Sequence, residues 1–408
     1  MDFFNVVTID KANEIIMNNF IDYKFEVEEI NILNSPNRIL AEDVISDIDV
    51  PEFNRSTVDG YSIIVEDSHG ATASIPSMLR QIGEVAMGKK PENDIIRGQA
   101  IYTPTGGMLP TSASGVIMIE NTELMDDQTL LIYKPISKGE NIVFKGDDIK
   151  KGEVVLEKGR KIDAAAVGVL ASLGISNVKV YKMPKFYIIS TGDEIIDIGE
   201  ELTLGKIRDI NSYALYSMIE KIGCQVVGRK IVKDDYDLLR LEVENGLELA
   251  DIVLLSGGSS VGTRDYTDKV IASFAGKGVL VHGLAIKPGK PTIVGEGNGK
   301  LIVGLPGHPV SSIIVFKAIV EEFIRQKLGK TEIQPQVKAI TEYNFPSSPG
   351  KKTYHMVHLR QENGIYYATP NFGKSGMITL LSKSQGYIVI KEHEEGVNKG
   401  EERVVYLL

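Results

Sequence analysis

Three glycine-containing loops follow apolar runs, and each of them carries polar side chains. They read "STGDE" (190–194), "SGGSSVGTRD" (256–265) and "GLPGHPVSS" (304–312). Glycine lets backbone N–H groups approach a ligand, hydroxyls add hydrogen bonds, and a helix that begins after Asp265 favours an anion. The loops therefore indicate a phosphate site, although turns without a ligand are an alternative. The middle loop matches neither the dinucleotide-binding pattern nor the P-loop pattern.

Carboxylates stand at the same predicted strand ends, at Asp193, Glu194, Asp234, Asp235 and Asp265. Bare carboxylates would repel a phosphate, so their presence beside one favours a divalent cation that bridges the two. The alternative is that these residues are solvated aspartates at helix starts, and this alternative is strongest for Asp234 and Asp235.

The segment "KPGKPT" (287–292) carries two lysines on one short loop. Its two prolines restrict φ around a glycine, which holds Lys287 and Lys290 near each other. Two fixed ammonium groups suit a tetrahedral dianion. A Pro-Gly connection with incidental, solvated lysines is the alternative interpretation.

Two further segments hold polar residues in predicted loops. "PEFNRSTVDGY" (51–61) presents Ser56 and Asp59, and His308 lies in a turn bounded by prolines. A lone histidine in such a turn is typically a hydrogen-bonding residue rather than a catalyst. The sequence contains no Ser/His/Asp order and no metal-type histidine spacing.

The elements that position these loops alternate between strand and helix from residue 184 to 329. The apolar runs "KFYIIS", "CQVVGRKIV", "DIVLLS" and "KLIVGLP" are each followed by a predicted helix. This rhythm predicts a doubly wound, mostly parallel sheet with helices on both faces and ligands at the carboxyl ends of its strands. Thr8 and Asn211 are predicted to cap helices at 8–20 and 212–223, and residues 163–174 predict another helix.

Regions of β texture lie on both sides of this unit. Residues from about 47 to 145 are short alternating runs broken by Gly, Pro and Ser, which is typical of a small β-rich module, and β texture returns after about residue 330. With 408 residues the chain predicts two to four domains.

Composition excludes several classes of protein. The 45 Lys and Arg against 55 Asp and Glu leave a net charge of −10, unlike the basic balance typical of a nucleic-acid binder. The single cysteine, Cys224, excludes an intrachain disulfide and a cysteine-based zinc cluster. The N-terminus has no signal-peptide pattern, and no apolar run is long enough to span a bilayer. We therefore expect a cytoplasmic protein that does not enter the membrane.

Taken in order, these motifs resemble those of the molybdopterin molybdenumtransferase family, the MoeA and gephyrin E-domain type. The family has the patterns P-x-F-x-x-S-x-M-D-G-Y, S-T-G-D-E, S-G-G-V-S-V-G-x-x-D-Y, K-P-G-K-P and G-L-P-G-N-P-V-S. The corresponding segments here are "PEFNRSTVDGY", "STGDE", "SGGSSVGTRDY", "KPGKP" and "GLPGHPVS". "GENIVFKGDDIKKGE" (139–153) matches a further segment. The matches cover most of the chain.

The resemblance implies an architecture of four parts. Residues 1–45 and 147–183 would form an elongated helical and β linker that serves dimerisation. Residues 46–146 would be an inserted β-rich domain, 184–329 the α/β molybdopterin-binding domain, and 330–408 a C-terminal β-barrel. Members of the family are homodimers whose active site combines the α/β domain of one subunit with the inserted domain of the other.

The implied reaction starts from adenylylated molybdopterin: molybdate enters the dithiolene site, the phosphoanhydride is hydrolysed and AMP leaves. The resemblance assigns catalysis to Asp59, Thr105, Asp148, Glu194, Asp235 and Asp265, of which Glu194, Asp235 and Asp265 would hold Mg²⁺. The pterin and its phosphate would be held by Ser190, Thr191, Gly192, Asp193, Ser256, Gly257, Gly258, Ser260, Gly262, Pro306, Gly307 and Pro309. Molybdate would be held by Lys287, Lys290, Ser311, Lys351 and Ser384.

The chain departs from the family pattern at several positions. Val58 replaces Met, Ser259 replaces Val and His308 replaces Asn, and Ser114 with Gly115 stands where Asp-Ala is common. In the barrel the family has an arginine near the oxyanion, for which Lys351 or Lys352 must substitute. Lysine lacks the bidentate fork of arginine, so the sequence leaves the preference between molybdate and tungstate open.

Two other functions remain as alternatives. A molybdopterin adenylyltransferase resembles residues 184–329 alone, but it would have neither the "DGY" region nor the barrel. A non-catalytic scaffold of the gephyrin E-domain type is the second alternative, and it is disfavoured because no fused partner domain or long linker is evident. The expected partners are small-molecule substrates, with transient contacts to the adenylyltransferase and to apo-molybdoenzymes, and no nucleic acid.

Overall fold

A computed structural model describes residues 6–257, 266–329 and 334–408. It contains an α/β domain built on a central sheet, a β-rich domain inserted into the N-terminal half, a linker of strands and one helix, and a C-terminal barrel. The predicted fold class is thus confirmed. The exact boundaries between the four parts stay a prediction.

The central sheet is mostly parallel, as predicted. Within the described residues it has six strands, of which the first four in sheet order run parallel and the last two form an antiparallel edge. In sheet order they are Gln225–Val232, Lys185–Thr191, Ile252–Ser256, Lys300–Leu305, Ile293–Gly297 and Gly278–His282.

Helices cover both faces of the sheet because alternate residues of its strands point to opposite sides. Ile188 and Leu254 belong to one buried cluster, whereas their neighbours Ile189 and Val253 belong to the other. The first face packs against Ile9–Asn19, Asn211–Lys221 and the helical run Pro309–Val315, Phe316–Glu321 (a π-helical turn) and Glu322–Lys327. The second face packs against Tyr236–Leu249 and Thr267–Ala272.

The helix Ile9–Asn19 begins where the sequence predicts. The side chain of Thr8 accepts a hydrogen bond from the backbone N–H of Lys11, and Ala12 and Ile16 on one helix face are buried. That face lies in the core of the α/β domain, and Phe20 makes an edge-on ring contact with Phe323. The first helix therefore packs with the α/β domain.

The linker has its own small core. Strand Val27–Asn31 pairs with Asn177–Tyr181, and Val44–Ile45 pairs with Val154–Leu156. The predicted helix at 163–174 is present as Ala164–Ser172, capped by the carboxylate of Asp163. A 3₁₀ turn, Ile32–Asn34, precedes the second strand.

The inserted domain is a sheet with a short two-stranded extension. In sheet order, its six described strands are Gly115–Met118, Gly60–Ile63, Gln99–Thr103, Ser77–Glu84, Thr129–Ile132 and Thr122–Leu124. Arg55–Ser56 pairs with Ile142–Val143, so the "PEFNRSTVDGY" segment is a turn between two strands rather than a plain loop. Two 3₁₀ turns, Val65–Ser68 and Ile119–Asn121, complete it.

The C-terminal region is a closed barrel. Five described strands pair in a ring, namely Lys352–Glu362, Ile365–Pro370, Gln336–Thr341, Glu402–Leu407 and Gly386–Ile390. The strand Ile286–Lys287 of the "KPGKP" loop pairs with the first of them. Phe345–Pro346 pairs with Gly396–Val397, and a short helix spans Thr379–Ser382. Across the described ranges, no helix has both the length and the apolar character that a membrane crossing requires.

Candidate active site

The predicted strand-end loops meet at one edge of the central sheet. Parallel pairing places Ser190 opposite Ser256, and Ser256 opposite Leu305. The Gly257 N–H donates to the carbonyl oxygen of Leu305 (3.4 Å), which continues the strand pairing into the loops. The carboxyl ends of three strands therefore form one continuous surface.

Two glycines allow the backbones to come this close. Gly257 has φ +103°, and a Cβ built there would lie only 2.3 Å from the carbonyl oxygen of Thr191. A Cβ on Gly307 would lie 3.8 Å from the Cα of Gly257. Residues 256–257 are thus in contact with the "STGDE" and "GLPGHP" segments, and no side chain fits at position 257. The predicted site residues Gly258, Ser260, Gly262 and Asp265 lie outside the described residues.

The prediction that Asn211 caps its helix is wrong. Asn211 is the first residue of the helix Asn211–Lys221, and the carboxylate of Asp209 accepts the hydrogen bond from the backbone N–H of Ser212 (3.1 Å) instead. The side chain of Asn211 is consequently free to turn inwards, where it is only 8% exposed. Its Nδ2 donates to Ser256 Oγ and to the Gly307 carbonyl oxygen, both at 2.8 Å.

The capping role of Asp209 is not predicted from the sequence, although an acidic residue three positions before Ser212 is a signal for a helix cap. It is 4% exposed, and it accepts a hydrogen bond from Ser190 Oγ (2.9 Å) and from Ser212 Oγ (2.5 Å). The Arg229 guanidinium lies 3.5 Å from the same carboxylate. The hydroxyl of Ser190 therefore has a partner within the protein.

Arg229 links this carboxylate to a second one. Its Nη2 is 3.1 Å from Asp197 Oδ1, and the Tyr213 hydroxyl donates to that same oxygen (2.8 Å). The hydrogen bond from Tyr213 and the charge of Arg229 hold the pKa of Asp197 below its usual range. The guanidinium also lies over the Tyr213 ring, 4.1 Å from its centroid.

Carboxylates gather at the end of strand Lys185–Thr191, as predicted. The Glu194 carboxylate lies over Gly192, since a Cβ built on that glycine would be 2.8 Å from Glu194 Oε2. Thr191 Oγ1 donates to Asp234 (2.7 Å), and the Lys206 ammonium donates to the carbonyl oxygen of Asp193 (2.5 Å). These contacts fix the "STGDE" turn against the neighbouring strand exit.

Asp235 caps the next helix. The alternative interpretation, an aspartate at a helix start, therefore accounts for one of its two carboxylate oxygens. Its Oδ1 accepts a hydrogen bond from the backbone N–H of Leu238 (2.9 Å) at the start of Tyr236–Leu249. Among the described residues no group of three or more His, Cys, Asp or Glu side chains could hold a metal ion. The predicted set needs Asp265, which lies outside those residues, so the Mg²⁺ site stays a prediction.

The "KPGKP" loop has a fixed backbone and exposed lysines. A Cβ on Gly289 would lie 2.6 Å from Ile286 Cδ1 and 2.8 Å from Val315 Cγ2, so the loop is packed tightly on the long helix. The Thr292 hydroxyl donates to the carbonyl oxygen of Gly289 (2.7 Å). Lys287 and Lys290 are both exposed. This arrangement presents two cations from a rigid loop.

The barrel lies against this loop. Lys287 pairs in register with Thr353, and the positive charge of Lys287 acts on the half-buried His355. Burial is the larger cause, and together they lower the pKa of His355. His355 Nε2 lies 2.7 Å from the carbonyl oxygen of Pro346, which requires the proton on Nε2.

The other predicted oxyanion residues have mixed surroundings. Lys351 is half-buried, whereas the Lys352 ammonium lies 3.4 Å from Asp10 of the first helix. Ser384 is 8% exposed, and its hydroxyl donates to the Leu380 carbonyl oxygen (2.6 Å). Ser311 is buried in the first turn of the helix Pro309–Val315, which follows Pro306.

His308, which replaces the family asparagine, joins the α/β domain to the barrel. Its Nδ1 lies 2.8 Å from the hydroxyl of Ser375, and the N–H of Val310 donates to the carbonyl oxygen of Ser375 (3.1 Å). The barrel loop around Ser375 is therefore held directly beside the "GLPGHP" turn.

The predicted residues of the inserted domain form a second group. Asp59 Oδ1 accepts a hydrogen bond from the backbone N–H of Thr105 (2.8 Å), so the structure brings these two residues together. The N–H of Gly106 donates to the carbonyl oxygen of Ser56 (2.8 Å) and closes the turn. Asp148 is exposed on the returning segment, where its N–H donates to the carbonyl oxygen of Val50 (3.0 Å).

The residues at the sheet edge and the residues of the inserted domain form two groups without a direct polar contact among the described residues. The described contacts include no hydrogen bond and no ion pair between residues 46–146 and residues 184–329. One chain therefore holds Asp59 with Thr105 in one domain and the phosphate and carboxylate loops in another.

Comparison with known proteins agrees with an α/β ligand-binding protein that carries additional domains. The MoeA N-terminal region (domain I and II) matches residues 7–174, the probable molybdopterin binding domain matches 187–326, and the MoeA C-terminal region (domain IV) matches 338–408. The molybdopterin molybdenumtransferase of Haemophilus influenzae is 31% identical over 97% of this chain and 97% of its own length.

Solved structures extend the likeness to the fold. Two crystal structures of molybdopterin biosynthesis MoeA proteins from Pyrococcus horikoshii are similar to this chain. One is 36% identical with a TM-score of 0.83, covering 99% of both chains. The other is 31% identical with a TM-score of 0.85, covering 99% of this chain and 100% of its own. This chain belongs to the MoeA family of molybdopterin molybdenumtransferases.

Proposed function

We propose that the chain is a molybdopterin molybdenumtransferase of molybdenum cofactor biosynthesis. It takes adenylylated molybdopterin and molybdate, directs hydrolysis of the phosphoanhydride, and releases AMP with the molybdenum-loaded pterin. The observation that carries this proposal is the edge of the sheet at which the glycine loops meet. No side chain separates the loops at their contact, and a rigid loop with two lysines lies in the same domain.

The glycine loops suit the phosphate end of the pterin. The backbones at Gly257 and Gly307 can approach an anion closely because no Cβ intervenes. The Ser256 hydroxyl accepts from Asn211, which leaves its own hydrogen available to donate. These groups recognise phosphate without requiring a nearby lysine.

The acidic residues suit Mg²⁺ by their chemistry. Glu194 and Asp235, which we expect to act with Asp265, offer only carboxylate oxygens, the ligands that this hard cation prefers. The Glu194 carboxylate is held over Gly192 next to the phosphate loops, and Asp235 keeps one oxygen that its capping bond does not use. A bound Mg²⁺ would offset the negative charge that builds on the anhydride.

The oxyanion substrate is assigned to the neighbouring loop. Lys287 and Lys290 supply fixed positive charge to molybdate, and Ser311 lies at the start of the adjacent helix. Of the two barrel lysines, Lys351 suits this role better, because the ammonium of Lys352 already pairs with Asp10. The hydroxyl hydrogen of Ser384 is used on the carbonyl oxygen of Leu380, so Ser384 would have to give up that bond to donate to molybdate.

The inserted domain completes the site in a homodimer, in which Asp59, Thr105 and Asp148 of one subunit face the α/β domain of its partner. The separation of the two groups within a chain supports this arrangement. Asp59→Asn and Asp265→Asn subunits should each be inactive, yet their mixed dimers should regain activity because one of the two composite sites is intact. Verified mixed dimers without any regained activity would contradict a shared site.

The adenylyltransferase and scaffold alternatives are less well supported. The matches to the MoeA N-terminal and C-terminal regions lie outside the α/β domain, to which an adenylyltransferase would be confined. A scaffold would not need carboxylates and lysines at one edge of the sheet. Transient contacts with the adenylyltransferase and with apo-molybdoenzymes remain expectations.

The test is to incubate the purified protein with adenylylated molybdopterin, Mg²⁺ and either molybdate or tungstate, and to follow AMP release. We expect AMP release that depends on the oxyanion and on Mg²⁺, and that Asp59→Asn abolishes without unfolding the protein. Formation of adenylylated molybdopterin and pyrophosphate from ATP and molybdopterin would instead favour the adenylyltransferase alternative. No AMP release under any of the conditions above would contradict the proposal.

A further inference from the structure

One buried side chain, Asn211, joins the two glycine loops at the phosphate edge. Its Nδ2 donates one hydrogen bond to Ser256 Oγ and another to the carbonyl oxygen of Gly307, each at 2.8 Å. Ser256 ends one strand of the sheet, and Gly307 follows the neighbouring strand Lys300–Leu305. The amide therefore spans two adjacent strand exits.

These bonds determine the orientation of the amide. A carbonyl oxygen only accepts hydrogen bonds, so the nitrogen of Asn211, and not its Oδ1, must face Gly307. Both amide hydrogens are then used. Oδ1 remains buried, and no donor among the described residues reaches it. A buried acceptor without a partner opposes folding, so helix stability alone does not explain an asparagine here.

The segment that carries Asn211 is itself fixed to the sheet. Asp209, two positions earlier, accepts hydrogen bonds from Ser190 Oγ (2.9 Å) and from the backbone N–H of Ser212 (3.1 Å). Ser190 belongs to the strand Lys185–Thr191, which neighbours the strand that ends at Ser256. The start of the helix is thus tied to a third strand, and Asn211 projects from a rigid base.

We propose that Asn211 is a positioning residue that holds the backbones at 256–257 and 306–307 at a fixed separation, so that both contact one phosphate group of the pterin. The identity of that phosphate rests on the proposed function. The positioning itself does not, because it concerns the spacing of two strand exits in the free protein.

Two substitutions separate hydrogen bonding from shape. Asn211→Asp keeps the size of the side chain, but it replaces the donor with a carboxylate oxygen that faces the Gly307 carbonyl oxygen. Asn211→Ala removes both bonds without adding repulsion. Repulsion between the new carboxylate and the Gly307 carbonyl oxygen should disturb the loops more than the loss of two hydrogen bonds does. We therefore expect molybdopterin to bind at least about tenfold more weakly to Asn211→Asp and roughly three- to tenfold more weakly to Asn211→Ala.

Asn13→Ala is the matched control. The Asn13 amide also donates to a distant backbone carbonyl, that of Ala318 (3.2 Å), but it joins two helices away from the strand edge. Its loss should leave pterin affinity within twofold of the wild type. Ser256→Ala removes one of the two acceptors of Asn211 together with the hydroxyl assigned to the phosphate. If an Asn211 variant does not fold, hydrogen exchange at Gly257 in Ser256→Ala, and not its pterin affinity, therefore tests the positioning.

Hydrogen exchange of the backbone amides in the free protein provides the decisive measurement. If Asn211 acted only at the start of its helix, exchange at the strand ends would not change when it is replaced. The N–H of Gly257, which donates to Leu305, should exchange faster in both Asn211 variants and at the wild-type rate in Asn13→Ala. In steady-state assays, the pterin concentration that gives half the maximal rate should rise, while the corresponding molybdate concentration should stay unchanged.

Two results would overturn the proposal. Unchanged exchange at 252–257 and 301–308 in both variants would show that Asn211 does not hold the loops. A larger defect in Asn211→Ala than in Asn211→Asp would show that the side chain only fills space. If the wild-type protein binds no molybdopterin, the proposed function fails, and the exchange result still decides whether Asn211 positions the loops.

Discussion

Replacing Gly257 by alanine adds one methyl group at the tightest contact of the candidate site. The new Cβ would lie 2.3 Å from the carbonyl oxygen of Thr191, roughly 1 Å closer than the 3.4 Å at which ordinary contact begins. The oxygen belongs to the backbone of a sheet strand and cannot rotate away. The backbone at position 257 must therefore move.

The size of the effect has two sources. A non-glycine residue at φ +103° is strained by about 1–3 kcal/mol. A displacement of about 1 Å in a substrate-positioning group can reduce turnover about a hundredfold. We therefore expect Gly257→Ala to lower thermal stability modestly and to reduce oxyanion-dependent AMP release by about two orders of magnitude, mainly through weaker pterin binding.

Two other glycines provide matched controls. Gly174 also has positive φ (+71°), but a Cβ there would meet no atom within 4 Å, so Gly174→Ala isolates the backbone strain from the collision. Gly307→Ala adds a methyl group on the other side of the contact, where the nearest atom is 3.8 Å away. Gly174→Ala should lose stability but keep its activity, and Gly307→Ala should keep its stability.

The assays are scanning calorimetry for stability and fluorescence titration for molybdopterin affinity. A folded Gly257→Ala protein that binds molybdopterin within twofold of the wild type would refute the argument, because the close backbone approach would then not matter for the ligand. Equal losses of affinity in Gly174→Ala and Gly257→Ala would refute it as well, since strain alone would account for both.

Three further predictions concern the oxyanion loop and the barrel. Lys287→Ala and, separately, Lys290→Ala should raise the molybdate concentration for half-maximal AMP release roughly ten- to a hundredfold, with rescue by excess molybdate; a rate defect that no molybdate concentration repairs would contradict the assignment. Burial lowers the pKa of His355, so folding favours its neutral form and the barrel should lose stability as the pH falls below the ordinary histidine value of 6.5, a loss that His355→Gln should abolish in pH-dependent unfolding. Because the charge of Lys287 also lowers this pKa, Lys287→Ala should raise it in an NMR titration, and a molybdate dianion bound at Lys287 should raise it too; an unchanged His355 titration would place the dianion elsewhere.

The edge of the sheet could be predicted because three of its strands, Lys185–Thr191, Ile252–Ser256 and Lys300–Leu305, are largely apolar runs followed by glycine-containing loops. Buried parallel strands need such runs, and the strand Ile252–Ser256 is buried along its whole length. The cap at Thr8 could be predicted because it depends only on local chain geometry. These features depend on nearby residues.

The errors and omissions come from contacts between distant residues. Asn211 has the chemistry of a cap, but the carboxylate of Asp209 takes that role and leaves the amide to bond Gly307, 96 positions away. Nothing near Lys352 in the sequence indicates a partner, yet Asp10 at the other end of the chain pairs with it. No local pattern encodes these partners, because the fold alone brings them together.

The most direct test of the central claim is the stoichiometry of the products. Purified protein, adenylylated molybdopterin, Mg²⁺ and molybdate are incubated, and the pterin product is isolated and analysed for molybdenum alongside the AMP released. The proposed function predicts one molybdenum atom in the pterin for each AMP, with neither product formed by Asp59→Asn. AMP release without molybdenum in the pterin would show a hydrolase rather than a molybdenumtransferase, and would contradict the account.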